Sequence, residues 1–167
     1  MKEVGDFWEE IALIRKLQGT VLNSFDAWLL IRGMRTLFLR VERCSQNAMA
    51  VAKHFHGHDY LETVLYPGLS SDPGHEVAKK QTNGQFGGMM SIIIKGSEKN
   101  AIDVTRFCQL FYPATSLGGV ESLIEHRKTV SGEGFPVHPR LLRLSIGIED
   151  ADDLIWDLEQ ALTRAFN

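Results

Sequence analysis

The sequence is poor in the residues that mark special classes of chain. Its two cysteines among 167 residues, Cys44 and Cys108, lie in helix-like contexts without metal-ligand spacing. That excludes a disulfide scaffold or a zinc module and suits two reduced thiols in a cytoplasmic compartment. Only five prolines are present, with no low-complexity tract or Pro/Gly/Ser linker, so nothing announces a break between full domains. The longest purely apolar runs, Ala27 to Ile31 and Ala48 to Ala52, fall far short of the roughly 20 residues that cross a bilayer. Met1-Lys2-Glu3 leads into an acidic amphipathic stretch and not into a basic n-region, so no secretory signal is expected. Excess positive charge is also lacking: 18 Lys and Arg stand against 21 Asp and Glu, a net charge of −3. A nucleic-acid binder that works by phosphate neutralisation is excluded on that ground. No nucleophile elbow or phosphate-binding loop pattern occurs.

What remains has the composition of an ordinary globular domain, 44% hydrophobic and 23% charged. The first third reads as helical. Phe7, Ile11, Ile14 and Leu17 recur at helical spacing with Gly19 just beyond. A second helix, capped by Ser24 or Asp26, runs through Trp28 to Met34, and Gly33 marks a break before a third from about Thr36 to Phe55. Strands are then predicted at Leu61 to Tyr66, Gly87 to Lys95, Val120 to Glu125 and Leu141 to Ile148. Helices are expected at Gly74 to Gln81, Glu98 to Leu110 and Asp150 to Ala165. The order predicts an α+β fold, a mostly antiparallel sheet with helices on one face.

In the strand Leu141 to Ile148, period two puts Leu142, Leu144, Ile146 and Ile148 on one face and Arg143, Ser145 and Gly147 on the other. Arg143 thus projects between small residues, where a guanidinium wants a planar anion. Spacing alone leaves two partners open, a ligand carboxylate or an internal salt bridge to Glu121 or Glu125. The segment Thr115 to Ser122 holds Gly118-Gly119, suited either to close approach of a ligand at Ser116 or to a bulge before a strand. His54, His56 and His58, followed by Asp59, stand at the end of a predicted helix. Their alternate spacing points them to different sides, so no metal site is expected.

Five segments, in order, resemble the motifs of one family. They are Ser24-Phe-Asp-Ala-Trp-Leu-Leu-Ile-Arg-Gly-Met-Arg-Thr-Leu37, Val64-Leu-Tyr-Pro-Gly-Leu69, Phe86-Gly-Gly-Met89, Ser116-Leu-Gly-Gly-Val-Glu-Ser-Leu123 and Arg143-Leu-Ser-Ile-Gly-Ile-Glu-Asp150. The family is that of cystathionine gamma-synthase, beta-lyase and gamma-lyase, pyridoxal-phosphate enzymes of Cys/Met metabolism, and the resemblance runs from about Trp8 to the C-terminus.

The resemblance implies the small C-terminal domain of a fold-type I pyridoxal-phosphate enzyme, with residues 1–56 as helical connecting segment and start of the small domain and 57–167 as the α+β small domain. The large domain, with the Schiff-base lysine and the cofactor cradle, is expected outside these residues. The resemblance therefore implies no cofactor-binding or catalytic residue here, no covalently bound pyridoxal phosphate and no activity of this chain alone. It assigns Arg143 to the substrate α-carboxylate and places Ser116, with its neighbours Thr115 and Leu117, in the same pocket. Thr115 stands where many members carry an acidic residue, and His126-Arg-Lys-Thr129 with Gly132 to Pro139 replaces a longer Thr-His stretch at the pocket mouth. These departures leave lyase and synthase chemistry both open. The expected substrate is a sulfur-containing amino acid, undergoing β- or γ-elimination or replacement with the cofactor as electron sink. A homo-oligomer, dimer or tetramer, is implied for the intact family enzyme. The alternative is a catalytically dead truncated paralogue acting as a binding or heteromerisation module.

Overall fold

Local signals set the helix boundaries. The computed structural model describes residues 5–132 and 134–167. Helix α1 (Asp6–Gln18) ends at Gly19, whose left-handed φ of 66° lets its N–H return to the Arg15 carbonyl. Helix α2 (Ser24–Met34) is capped by Asn23, whose side chain accepts the Asp26 N–H at 2.9 Å. The cap is therefore Asn23, and neither Ser24 nor Asp26 takes the role expected from sequence. Asn is as good an N-cap acceptor as Ser or Asp, and it stands one position earlier.

The chain divides into two compact units, the first ending at Leu37 and the second comprising Phe38–Asn167. In the first, α2 has no buried residue, and Phe7, Trp8, Leu17, Phe25 and Trp28 are all exposed. Helix α3 (Leu37–Phe55) gives Ala48, Val51, Ala52 and Phe55 to the core of the second unit.

That unit is built on a five-stranded sheet in the order β1-β2-β5-β4-β3. The strands are β1 (Leu61–Leu65), β2 (Met89–Ile94), β3 (Tyr112–Pro113), β4 (Leu123–His126) and β5 (Leu141–Ser145). All neighbours pair antiparallel except β3 with β4. The remaining helices are α4 (His75–Thr82), α5 (Glu98–Phe107), α6 (Arg127–Ser131) and α7 (Ala151–Phe166). Met90, Leu144 and Ile124 stand in register on one side of the sheet, in a core completed by α3, Ala101 and Val104 of α5, and Leu154, Leu158, Ala161 and Leu162 of α7. This is the α+β architecture expected. Among the described residues no helix is long and apolar enough to cross a membrane.

Two predicted elements end sooner than their patterns suggest and a third begins later, each because tertiary hydrogen bonds take over. Helix α5 stops at Phe107, where the buried Asp157 carboxylate accepts the N–H groups of Gln109, Leu110 and Phe111 at 2.7, 2.8 and 3.0 Å. Strand β5 stops at Ser145, beyond which Ile146 donates to Gly88 and Ile148 to Val120. Strand β4 begins only at Leu123, since Ser122 is held by Glu149, its N–H 2.6 Å and its hydroxyl 2.9 Å from the carboxylate oxygens. The short β3 and α6 carry too few residues for a periodicity.

Candidate functional site

The sheet register builds the site. Ser91, Arg143 and Glu125 lie opposite one another across β2, β5 and β4, so their side chains share the face away from the apolar row of Met90, Leu144 and Ile124. Period two within β5 thus places Arg143 as expected.

Three contacts hold the Arg143 guanidinium in position. Its Nε is 2.9 Å from Glu125 Oε1 in an ion-pair contact. Its Nη2 donates to the carbonyl oxygens of Thr115 and, at 3.3 Å, of Ser116. A second guanidinium joins the cluster: Arg127 Nη1 donates to the same Glu125 Oε1 at 2.9 Å. Arg143 keeps 21% of its side chain exposed and Arg127 34%, whereas Glu125 is buried to 3%. Glu125 Oε2 is buried without a hydrogen-bond partner. Neither guanidinium therefore grips the carboxylate with a two-pronged fork, and Nη1 of Arg143 carries no bond among the described residues.

Of the two partners that spacing left open, the internal ion pair to Glu125 is present, while Glu121 turns towards Gly119. An Arg143 free of Glu125 is not what the structure holds. Thr115 and Ser116 come to Arg143 through their backbone carbonyls, not through their hydroxyls. Leu117 is exposed.

The loop that carries Ser116 is anchored from two sides. Ser145 Oγ accepts the Gly118 N–H at 3.1 Å, and Gly118 has φ 75°, a conformation glycine adopts readily. On the other side Ser122 Oγ accepts the Gly147 N–H at 2.8 Å, and Asn47 of α3 donates to the carbonyls of Gly147 and Glu149 at 3.0 and 2.8 Å. A Cβ on Gly147 would run into the Val120 carbonyl oxygen, so only glycine fits that crossing. The loop is thereby fixed relative to β5.

The histidine cluster resolves differently from the alternate pattern. His54 Nε2 and His58 Nε2 both reach the Glu159 carboxylate, at 2.7 and 3.2 Å, tying the end of α3 to α7, while His56 is exposed. Among the described residues no group of His, Cys, Asp and Glu has the arrangement of a metal site. Burial pushes both thiols up, aided by Glu149 at Cys44 and by Asp157 at Cys108. Both are free cysteines.

Lys16, Lys53, Lys79, Lys80, Lys95 and Lys99 are exposed and Lys128 is half-buried. The cavity lined by Lys53 and Lys79 lies beside Met49, Leu69 and Phe86 and does not include Arg143.

Sequence reasoning missed Arg127 and the single-oxygen sharing at Glu125. Arg127 follows β4 by one residue, and its pairing with i−2 depends on the chain turning into α6, which no local pattern announces.

Comparison with known proteins gives a consistent set. The family model for Cys/Met metabolism PLP-dependent enzymes matches residues 2–163. The cystathionine gamma-synthase of Mycobacterium tuberculosis is 47% identical over 92% of this chain and 41% of its own length. The cystathionine gamma-lyase of Bacillus subtilis is 43% identical over 96% of this chain and 43% of its own. Among solved structures, metB from Corynebacterium glutamicum superposes with a TM-score of 0.85 at 42% identity, covering 95% of this chain and 42% of that one. The chain thus spans about two fifths of the length of the curated relatives it matches.

Proposed function

Since the chain belongs to the Cys/Met metabolism PLP-dependent enzyme family, we propose that it is the C-terminal, substrate-carboxylate-binding portion of a transsulfuration enzyme acting on a sulfur-containing amino acid. Residues 38–167 are the small domain in this reading, and the helices before them are the connecting segment. The observation that carries it is the state of Arg143: fixed by Glu125 and by the Thr115 and Ser116 carbonyls, yet partly exposed and with Nη1 uncommitted. The open Nη1 leaves this guanidinium a donor directed at no protein acceptor among the described residues, available to a planar anion.

Arg143 binds the α-carboxylate, and Thr115, Ser116 and Leu117 line the pocket beside it. Fixing the carboxylate orients the rest of the amino acid toward the reacting centre, which converts binding into rate. In this reading pyridoxal phosphate is held by a portion equivalent to the roughly three fifths of the relatives that lie outside the match, and this chain alone neither binds it covalently nor turns over substrate. The intact protein is a homo-oligomer in this reading. Its substrate class follows the names of the relatives, cystathionine synthases and lyases.

Two measurements test the reading. Borohydride reduction of the chain mixed with pyridoxal phosphate should give no stoichiometric adduct at a single lysine. Joining this chain to the preceding portion of the Mycobacterium tuberculosis relative should give a protein active on sulfur amino acids. A site-specific adduct on this chain alone, or a folded but inactive chimera, would contradict it.

A further inference from the structure

A carboxylate clamp needs net positive charge, and Arg143 sits against a buried carboxylate that would cancel its own. Were Glu125 paired with Arg143 alone, the two would form a neutral pair with little attraction for a further anion. The structure contains a third member. Arg127 Nη1 donates an aligned hydrogen bond to Glu125 Oε1 at 2.9 Å, while the Arg143 Nε contact to the same oxygen is an ion pair. Two guanidiniums share one carboxylate oxygen, the other oxygen has no partner, and the cluster carries one net positive charge.

We propose that Arg127 is a positioning residue that engages the charge of Glu125, so that Arg143 stays available to a ligand carboxylate. This rests on the reading of Arg143 as the carboxylate clamp. The division of labour follows from where each group lies. Glu125 is fully buried and needs a compensating cation. Arg127, at the start of α6, supplies it from the flank, and Arg143 in the middle of the sheet keeps Nη1 open. A carboxylate arriving at Arg143 then makes the cluster neutral overall, with two cations facing two anions. The same count rules against a second carboxylate at Arg127, so the ligand presents one anionic group to this cluster.

The test is a titration of the full chain with sodium acetate at constant ionic strength, read from the Arg143 Nε–Hε signal in nitrogen-15 spectra. The native chain should show a saturable shift. Arg127→Gln should weaken acetate binding about three- to tenfold, the effect expected for removing one charge several ångströms away in a partly screened site. Arg127→Lys should stay within about twofold of the native chain, since charge and not the fork is needed. The decisive variant is Glu125→Gln with Arg127→Gln, which restores the net charge and should recover binding. A merely structural Arg127 would show no such rescue. Unchanged affinity in Arg127→Gln, or no recovery in the double variant, overturns the proposal. Acetate binding that persists in Arg143→Gln, or is missing from the native chain, overturns the clamp reading beneath it.

Discussion

Arg143 Nε lies 2.9 Å from Glu125 Oε1 across the antiparallel pairing of β5 and β4, where the two residues are direct register partners. The contact fixes the guanidinium plane without consuming it, because Nη2 turns to the Thr115 and Ser116 carbonyls and Nη1 remains open. In the proposed role a carboxylate clamp must be rigid before its ligand arrives, and the sheet supplies that rigidity.

Replacing Asp157 tests how the loop after α5 is held. Its carboxylate accepts three backbone N–H groups, and Asp157 itself is fully buried. Asp157→Ala leaves those donors without their acceptor and should cost about 3–5 kcal/mol in chemical denaturation. A loss below about 1 kcal/mol would show that the three bonds are replaced by water.

The thiols should be slow to react in the folded chain. Burial first, then Glu149 at Cys44 and Asp157 at Cys108, pushes each thiol above its ordinary value, so the thiolate is scarce at neutral pH. Labelling with a disulfide reagent should be slow in buffer and reach two thiols quickly in guanidinium. Rapid labelling of the native chain would contradict the packing described.

The chain should self-associate. Phe7, Trp8 and Leu17 of α1 and Phe25 and Trp28 of α2 are exposed, at 75, 61, 75, 65 and 53%. Apolar surface on that scale favours contact with another molecule. Sedimentation over a range of concentrations should give a rising mean mass together with binding of a hydrophobic dye. A concentration-independent monomer without dye binding would count against it.

Much of this architecture was legible in the sequence, and the residues explain why. The apolar Met89 to Ile94 run marks β2 as a strand, and the alternation in Leu141 to Ser145 gives β5 and the face carrying Arg143. The helix start at α7 is announced by Asp150, whose side chain accepts the Asp152 N–H at 2.9 Å. Element ends were less readable, because Asp157, Glu149 and Asn47 act on segments far away in sequence. At the candidate site, Arg143 was visible as a cation on a strand face with small neighbours. The sharing of Glu125 between Arg143 and Arg127 was not, since it arises from the pairing of β4 with β5 and from the turn into α6.

The most direct measurement of the account is kcat/KM of the chimera described above, with Arg143 intact and with Arg143→Lys. Lysine keeps the charge but loses the planar fork, so transition-state stabilisation should fall by about 2–4 kcal/mol, roughly 30- to 1000-fold in kcat/KM. The loss should extend to every α-amino acid substrate, because all present the same carboxylate, while the melting temperature changes little. An unchanged kcat/KM would mean that Arg143 serves the sheet and Glu125 alone, and would contradict the assignment of this chain as the carboxylate-binding portion.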